Sequence, residues 1–410
     1  MTAAADIDPQ FWSGRRVLLT GHTGFKGAWL ALWLQSLGAR VTGLAPGPPT
    51  DPSLYALARV GEAMAQELEI DVRDGPAVRE ALRATRPEIV LHLAAQPMVR
   101  LSLREPALTY AVNVMGTVNV LEAVRSGESV RSVVVVTSDK CYANPSAYGA
   151  TDDAGGVRGY VGGVRGDAGG VGGYVGGVRG DAGVMRGDAG GVLRFRESDP
   201  LGGHDPYSSS KACAELVVAA YRQSYFSAGD GPQVASARAG NVIGGGDFGE
   251  DRLVPDVLRA HARRRPVRVR NPDAIRPWQH VLNPLSGYLT LAGRLCESGG
   301  DGEPGGDGYA RAFNFGPRAQ DAWPVRELVR RLHDLLDEPL PDEHDYAANP
   351  PEAMRLELDS GAAERELGWR PRWDLDEALA RVAAWQEAYA RGEDMRGVST
   401  AQIAAFVCSK

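Results

Sequence analysis

The chain has 410 residues, 43% of them hydrophobic and 24% charged, and a net charge of −7, a balance that argues against nucleic-acid binding while leaving room for a large core and two domains. Four cysteines (Cys141, Cys213, Cys296, Cys408) lie far apart without a CxxC, so neither a zinc site nor a disulfide framework is expected and no metal is assigned. The opening MTAAADIDPQFW lacks a basic, apolar leader and no apolar run approaches membrane-spanning length, which makes the cytoplasm the expected address.

Val17 to Thr20 reads as a buried parallel strand, and Ala28 to Leu37 repeats apolar residues at helical spacing. Between them lies Gly21-x-x-Gly24-x-x-Gly27. Glycine there permits a tight turn and close backbone approach to a pyrophosphate, which the helix N-terminus attracts. Gly21, Gly24, Phe25, Lys26 and Gly27 are therefore candidate cofactor contacts, with Lys26 a point charge for a phosphate. The next strand, Arg40 to Leu44, ends in Leu44-Ala45-Pro46 and offers neither the acid that grips the ribose of NAD nor the arginine suited to NADP. Strands at Glu67 to Ile70 and Ile89 to Leu93 continue an α/β rhythm. The first runs into Asp71-Val72, which would meet the adenine edge; the second, through Leu93, Ala94, Ala95 and Gln96, offers a small surface for a dinucleotide. Both also read as plain strand ends. A helix around Asn113 to Val124 then leads to the strand Val133 to Val136 and the motif Thr137-Ser138-Asp139-Lys140-Cys141-Tyr142.

From Ala154 to Gly191 the pattern breaks: GGVRGDAG at 162 recurs at 176, and RGDAG returns at 186. So much glycine cannot recover its ordering entropy by burial, and a surface loop without a catalytic part is expected. Beyond it stands DPYSSSKACAEL. Tyr207 and Lys211, four apart on a helix, share one face. An ammonium beside a phenol favours the phenolate, which would make Tyr207 a base near neutral pH. Lysine itself is informative here. Of 45 basic residues only four are lysine, and Lys26, Lys140 and Lys211 all fall inside motifs; lysine, unlike arginine, can lose its proton when desolvated.

GHTGFKGAWL, LHLAAQPMVRLS, TSDKCY, DPYSSSKACAEL, RAGNVIGGGDF and RNPDAIRPWQHVL together resemble the extended short-chain dehydrogenase/reductase family, in its NAD-dependent sugar-nucleotide epimerase/dehydratase branch. The resemblance covers nearly the whole chain except residues 150 to about 194. It implies an α/β fold: a Rossmann-type doubly wound parallel sheet over 1–240, and a smaller C-terminal α/β substrate-binding domain over 241–410, with a segment near 275–300 returning to the first. It also implies NAD as cofactor, a nucleotide-sugar substrate, a homo-oligomer (dimer or tetramer), and dehydration of CDP-glucose across C4 to C6. In that reaction Tyr207 takes the C4 hydroxyl proton, Lys211 holds the nicotinamide ribose, Asp139 is the acid for the departing C6 hydroxyl, and Ser138 and Lys140 complete the elimination site. Thr137 joins the cofactor contacts. Related deoxythymidine-diphosphate-sugar dehydratases carry glutamate at the position of Lys140, so lysine points to the CDP-sugar type and leaves the C5 base open. Arg252, Arg270 and Arg276 have the chemistry to hold the diphosphate and Asn241 that to hold the diphosphate or the sugar, whereas His280 reads as structural. A 4-epimerase would have no use for Asp139 and Lys140, and a regulator that only senses NAD would not need Tyr207 and Lys211.

Overall fold

The computed structural model describes residues 7–144, 194–227, 231–298, 308–336, 342–344 and 356–409; the glycine-rich insert lies outside them. Seven strands form one parallel sheet: β1 (Arg16–Thr20), β2 (Arg40–Leu44), β3 (Gln66–Leu68), β4 (Ile89–His92), β5 (Ser132–Val136), β6 (Gln233–Arg238) and β7 (Ala312–Asn314). Their order is β7-β6-β5-β4-β1-β2-β3. Every residue of β4 and β5 is buried, the continuous run of strands covered on both faces. The chain builds outward from β1 to β3 and then crosses back to β4, so strand order reverses between β1 and β4. At such a reversal a crevice opens beyond the strands' carboxyl ends, and ligands bind there. The third strand stops short of the expected Ile70, because the Leu68 carbonyl accepts from both Ala45 N and Ile70 N and closes a turn.

Helices α1 (Phe25–Ser36), α2 (Gly75–Thr85), α3 (Pro106–Arg125) and α4 (Pro206–Tyr225) flank the sheet. Side-chain caps start two of them: Asp74 accepts from Ala77 N at α2, and Asp205 from Ser208 N at α4. Leu18, Val90, Val133 and Val135 face α2, α3 and α4 in one core. Their strand neighbours Leu19, Leu91 and Val134 face α1 in the other, as the two-residue period of a strand requires. Helix α3 is long and apolar enough to cross a membrane by length and composition, contrary to the expectation from sequence; it packs between α2 and α4 through Val120, Leu121 and Val124. A π turn at Ala111–Met115 interrupts it and swings Asn113 onto Gln96 and Ser210.

Five longer helices follow: α5 (Leu253–Ala262), α6 (Leu282–Ser298), α7 (Val325–Leu335), α8 (Leu375–Ala390) and α9 (Met395–Cys408). Helices α5, α7 and α8 share a separate core around Val257, Leu328, Leu332 and Leu379. Helix α6, in the stretch expected to return, packs on β5 and β6, and the return runs on to β7, the outer strand of the sheet. Helix α1 is buried at every position from Gly27 to Leu34, so it needs cover on its outer side as well. Helix α9 supplies it, with Trp33 set edge-on to Phe406 at 5.5 Å between ring centroids.

Candidate active site

The glycine turn after β1 has a geometry only glycine allows. Gly21 has φ +75°, and a Cβ there would stand 2.8 Å from Ala94 N; one on Gly27 would stand 2.1 Å from Gly21 O. Gly24, at the N-cap of α1, has no side-chain cap, and a Cβ there would meet the Gly21 carbonyl oxygen at 3.4 Å. No side chain caps the first-turn N–H groups of α1, and the turn before them is bare glycine, which fits a dinucleotide pyrophosphate. At the end of β2, where neither acid nor arginine stands, the His22 ring covers Gly43 and its Nε2 lies 3.0 Å from Glu67 Oε1 on β3. Asp71 is held by Arg73, with Nη2 to Oδ2 at 2.7 Å, and this pairing keeps its carboxyl below the ordinary range. Val72 turns its side chain into the core against Gly116, and the Gln96 amide is engaged by Thr109 and Met98. The backbone is engaged too, Gln96 N and O by the Asn113 amide and Val72 O by Asn119 Nδ2.

Opposite the cradle, the first turns of α4 bring Tyr207 and Lys211 to the ends of β5 and β6, both buried. Lys211 Nζ donates to the Val136 carbonyl at 3.2 Å. The ammonium therefore points under the strand end, and the expected lowering of the tyrosine by Lys211 is not found. Burial instead lifts the Tyr207 phenol to about 12, opposed by its hydrogen bond with Ser138 and by the Arg252 charge. Ser138 caps a single 3-10 turn at Asp139–Cys141 and donates to Asp139 Oδ1 at 2.9 Å. The Asp139 carboxyl is buried, and burial raises its pKa against the pull of Lys140, Ser138, Arg276 and Lys26. A carboxyl whose proton is held more tightly than usual, set beside a tyrosine, is a candidate proton donor. A Cβ on Gly240 would stand 2.8 Å from Asp139 Oδ2, so the chain passes directly over the acid.

Lys26 does not reach outward toward a phosphate. As the second residue of α1 it turns toward α6, with Nζ 3.5 Å from the Tyr288 hydroxyl, and desolvation followed by repulsion from Lys211 and Arg252 lowers it to about 7. Two of the three motif lysines thus lie close together in a desolvated place, Lys211 being drawn down to about 8, chiefly by burial. Of the candidate diphosphate ligands, Arg252 acts on Tyr207 and Lys26, and Arg276 acts on Asp139, so both flank the centre. At rest Arg252 pairs with Asp247 at 2.9 Å and Arg270 with Asp251 at 2.7 Å, the latter joined by Arg100 at 3.4 Å. Asn241 follows Gly240, and its carbonyl accepts from Gln279 N. His280 is structural, as expected: it lies edge-on to Trp29 and Trp373, its Nδ1 accepts from Leu282 N, and burial drops its pKa to about 3. Sequence reasoning missed the inward turn of Lys26, its partner Tyr288, Arg100 at Asp251, and the buried Glu215. Only Glu215 carried a signal, a carboxylate four residues after Lys211.

A tyrosine and a lysine one helical turn apart, set at the reversal of a doubly wound sheet and facing a glycine cradle, place the chain among the tyrosine-dependent Rossmann enzymes. Residues 18–153 match the family described as GDP-mannose 4,6 dehydratase, and residues 185–300 match the NAD dependent epimerase/dehydratase family. The chain belongs to the extended short-chain dehydrogenase/reductase family, in its NAD-dependent epimerase/dehydratase branch. It is 42% identical over 405 residues to a CDP-glucose 4,6-dehydratase of Salmonella typhimurium, covering 98% of both chains. It is 26% identical over 386 residues to a dTDP-glucose 4,6-dehydratase of Xanthomonas campestris pv. campestris, covering 90% of this chain and 92% of the other. Among solved structures, a dTDP-glucose 4,6-dehydratase from Streptomyces venezuelae with NAD and DAU bound superposes with a TM-score of 0.68 at 21% identity, over 93% of this chain and 99% of that one.

Proposed function

We propose that this chain is a lyase that converts CDP-glucose to CDP-4-dehydro-6-deoxyglucose and water with NAD as its cofactor, in the cytoplasm, for deoxysugar biosynthesis. The observation that carries this reading is Asp139, a buried carboxyl of raised pKa next to Ser138, which itself bonds Tyr207. A 4-epimerase has no leaving hydroxyl for such an acid to protonate. The likeness to the Salmonella protein favours the cytidine nucleotide.

The backbone of the turn at Gly21, Gly24, Phe25, Lys26 and Gly27, together with Asp71, Val72, Leu93, Ala94, Ala95, Gln96 and Thr137, would hold NAD. When bound, NAD supplies the two-electron carrier that takes a hydride from C4 and returns it to C6, together with a positive charge that favours the phenolate. Tyr207, as the phenolate, takes the proton of the C4 hydroxyl and so becomes the phenol that bonds Ser138. Lys211 holds the nicotinamide ribose. Once C4 is a ketone, the C5 proton is acidified; a base at this edge takes it and later gives it back to C5, while Lys140 supplies the positive charge that stabilises the enolate in between. Asp139 gives its proton to the C6 oxygen, which leaves as water, and a proton returns to C5. Arg252, Arg276, Arg270 and Asn241 hold the diphosphate, so that substrate recognition belongs mainly to the part of the chain after residue 240. The exposed Leu103, Tyr110, Met115, Leu216 and Tyr225 lie on or beside the neighbouring helices α3 and α4, and we assign that face to a second copy of the chain.

Incubation of the purified protein with CDP-glucose, with and without added NAD, tests the reading. A product lighter by one water, with the absorbance of a ketosugar in alkali, is expected. A product of unchanged mass inverted at C4 would make the protein an epimerase, and turnover of deoxythymidine- or GDP-sugars at the same rate would remove the nucleotide assignment.

A further inference from the structure

Below the catalytic edge stands a buried carboxylate for which the steps above have no use. Glu215 follows Lys211 by one turn of α4, and the two residues are 3% and 6% exposed. Its Oε2 accepts from Arg238 Nη2 and from Ser236 Oγ, each at 2.7 Å, and its Oε1 accepts from Thr137 Oγ1. One carboxylate thereby ties the helix of Tyr207 and Lys211 to β6 and to the strand end that presents Ser138 and Asp139. The ties run further. Arg238 Nη1 donates to the Tyr142 hydroxyl at 2.8 Å, which donates to Asn314 Oδ1 on β7 at 2.7 Å. Burying an ion pair costs more desolvation than packed apolar side chains of the same volume, so stability alone is a poor reason for it.

We propose that Glu215 is a positioning residue for the reaction: its charge holds Lys211 as an ammonium in a desolvated place, and its bond to Thr137 fixes the strand end that sets Ser138 against Tyr207. This rests on the role given to Lys211 above. The groups facing Lys211 are Glu215 on its own helix, Lys26 on α1, His92 on β4, and Cys141 on the turn after β5. Burial holds His92 neutral, with a pKa of about 3, and pushes the Cys141 thiol up, so it too is neutral. Lys26 opposes a second positive charge. Arg238 and Arg222 approach Glu215 from the far side. Glu215 is therefore the anion that offsets burial at Lys211, with burial the larger influence and a net value of about 8.

Because the chain has four lysines, protein labelled with carbon-13 at lysine Cε gives four resonances, and Lys211→Arg assigns the one of interest. The titration is followed in the NAD-loaded wild type, Glu215→Gln and Glu215→Asp. Removing a negative charge lowers an ammonium pKa. The Lys211 midpoint should fall by about one pH unit or more in Glu215→Gln and by less in Glu215→Asp, which keeps the charge. The alkaline limb of CDP-glucose turnover should move down with it while KM changes little. An unmoved midpoint in folded Glu215→Gln, or equal shifts in both variants, would overturn the proposal. Should Glu215→Gln fail to fold, the wild type decides: a Lys211 midpoint below about pH 7 means that Glu215 does not keep it charged. The midpoints need no substrate. If they behave as stated and CDP-glucose is not dehydrated, the functional reading fails and the hold of Glu215 on Lys211 stands.

Discussion

Asparagine at position 139 separates acid catalysis from every other role of that residue. Asp139→Asn keeps the shape and can still accept from Ser138 Oγ, but it has no proton to give. Loss of a positioned general acid costs about 10²- to 10⁴-fold in rate, or about 2.7 to 5.5 kcal/mol of transition-state stabilisation. Oxidation at C4 does not use this proton, so the variant should oxidise bound substrate, build up the near-ultraviolet absorbance of reduced cofactor, and release dehydrated product slowly. Stability should move the other way. The carboxyl pKa is raised by burial, so the folded protein binds this proton more tightly than the unfolded chain does. Between the unfolded pKa and the raised folded one, stability falls as pH rises, because a charge must then be buried. Asparagine cannot ionise and escapes that loss. Above this window the variant should melt no lower than the wild type, and its melting temperature should vary less with pH. Rapid-mixing absorbance, product mass and thermal melts across pH read all three effects. Wild-type dehydration by the variant would refute the reasoning, as would loss of C4 oxidation to the same degree as loss of water.

The other motif lysines should fail at different steps. Lys211→Arg should hinder formation of the C4 ketone, since a guanidinium cannot sit under the Val136 carbonyl, and little reduced cofactor should form. Lys140→Arg should oxidise and then stall; full turnover would make Lys140 a bystander. Gly27→Ala puts a methyl 2.1 Å from Gly21 O, so the cradle must open, and NAD should no longer raise the melting temperature in a thermal-shift titration. Replacing residues 154–191 with a short Gly-Ser linker should leave CDP-glucose turnover within a few-fold, and a collapse of activity in a normally folded variant would give the insert a part in the site.

What could be read from sequence was what short-range rules govern. The strand, glycine turn and helix from Val17 to Leu37 announce themselves by spacing, and so do Tyr207 and Lys211 as one helical face. That spacing does not fix where a long side chain ends. Lys211 shares a face with Tyr207, yet its ammonium lies under β5, and the tyrosine is raised rather than lowered. Lys26 meets Tyr288 across 262 residues of chain, a contact with no local trace. The Glu215–Arg238 pair likewise depends on α4 lying against β6. The third strand lost its end for a subtler reason, two hydrogen bonds to one carbonyl that no propensity foretells.

The cover of α1 by α9 bears on the order in which the protein becomes competent during synthesis. The cradle that would receive NAD is encoded near the start of the chain, and its helix is apolar on every side. One of those sides meets Phe406 on α9, which is made long after it. Until then the strands of β1 to β5 can pair, but Trp33 has water where its partner belongs. A nascent chain would hold the pieces of a nucleotide site without a finished one, and removal of α9 would leave every candidate site residue in place over an unsupported floor.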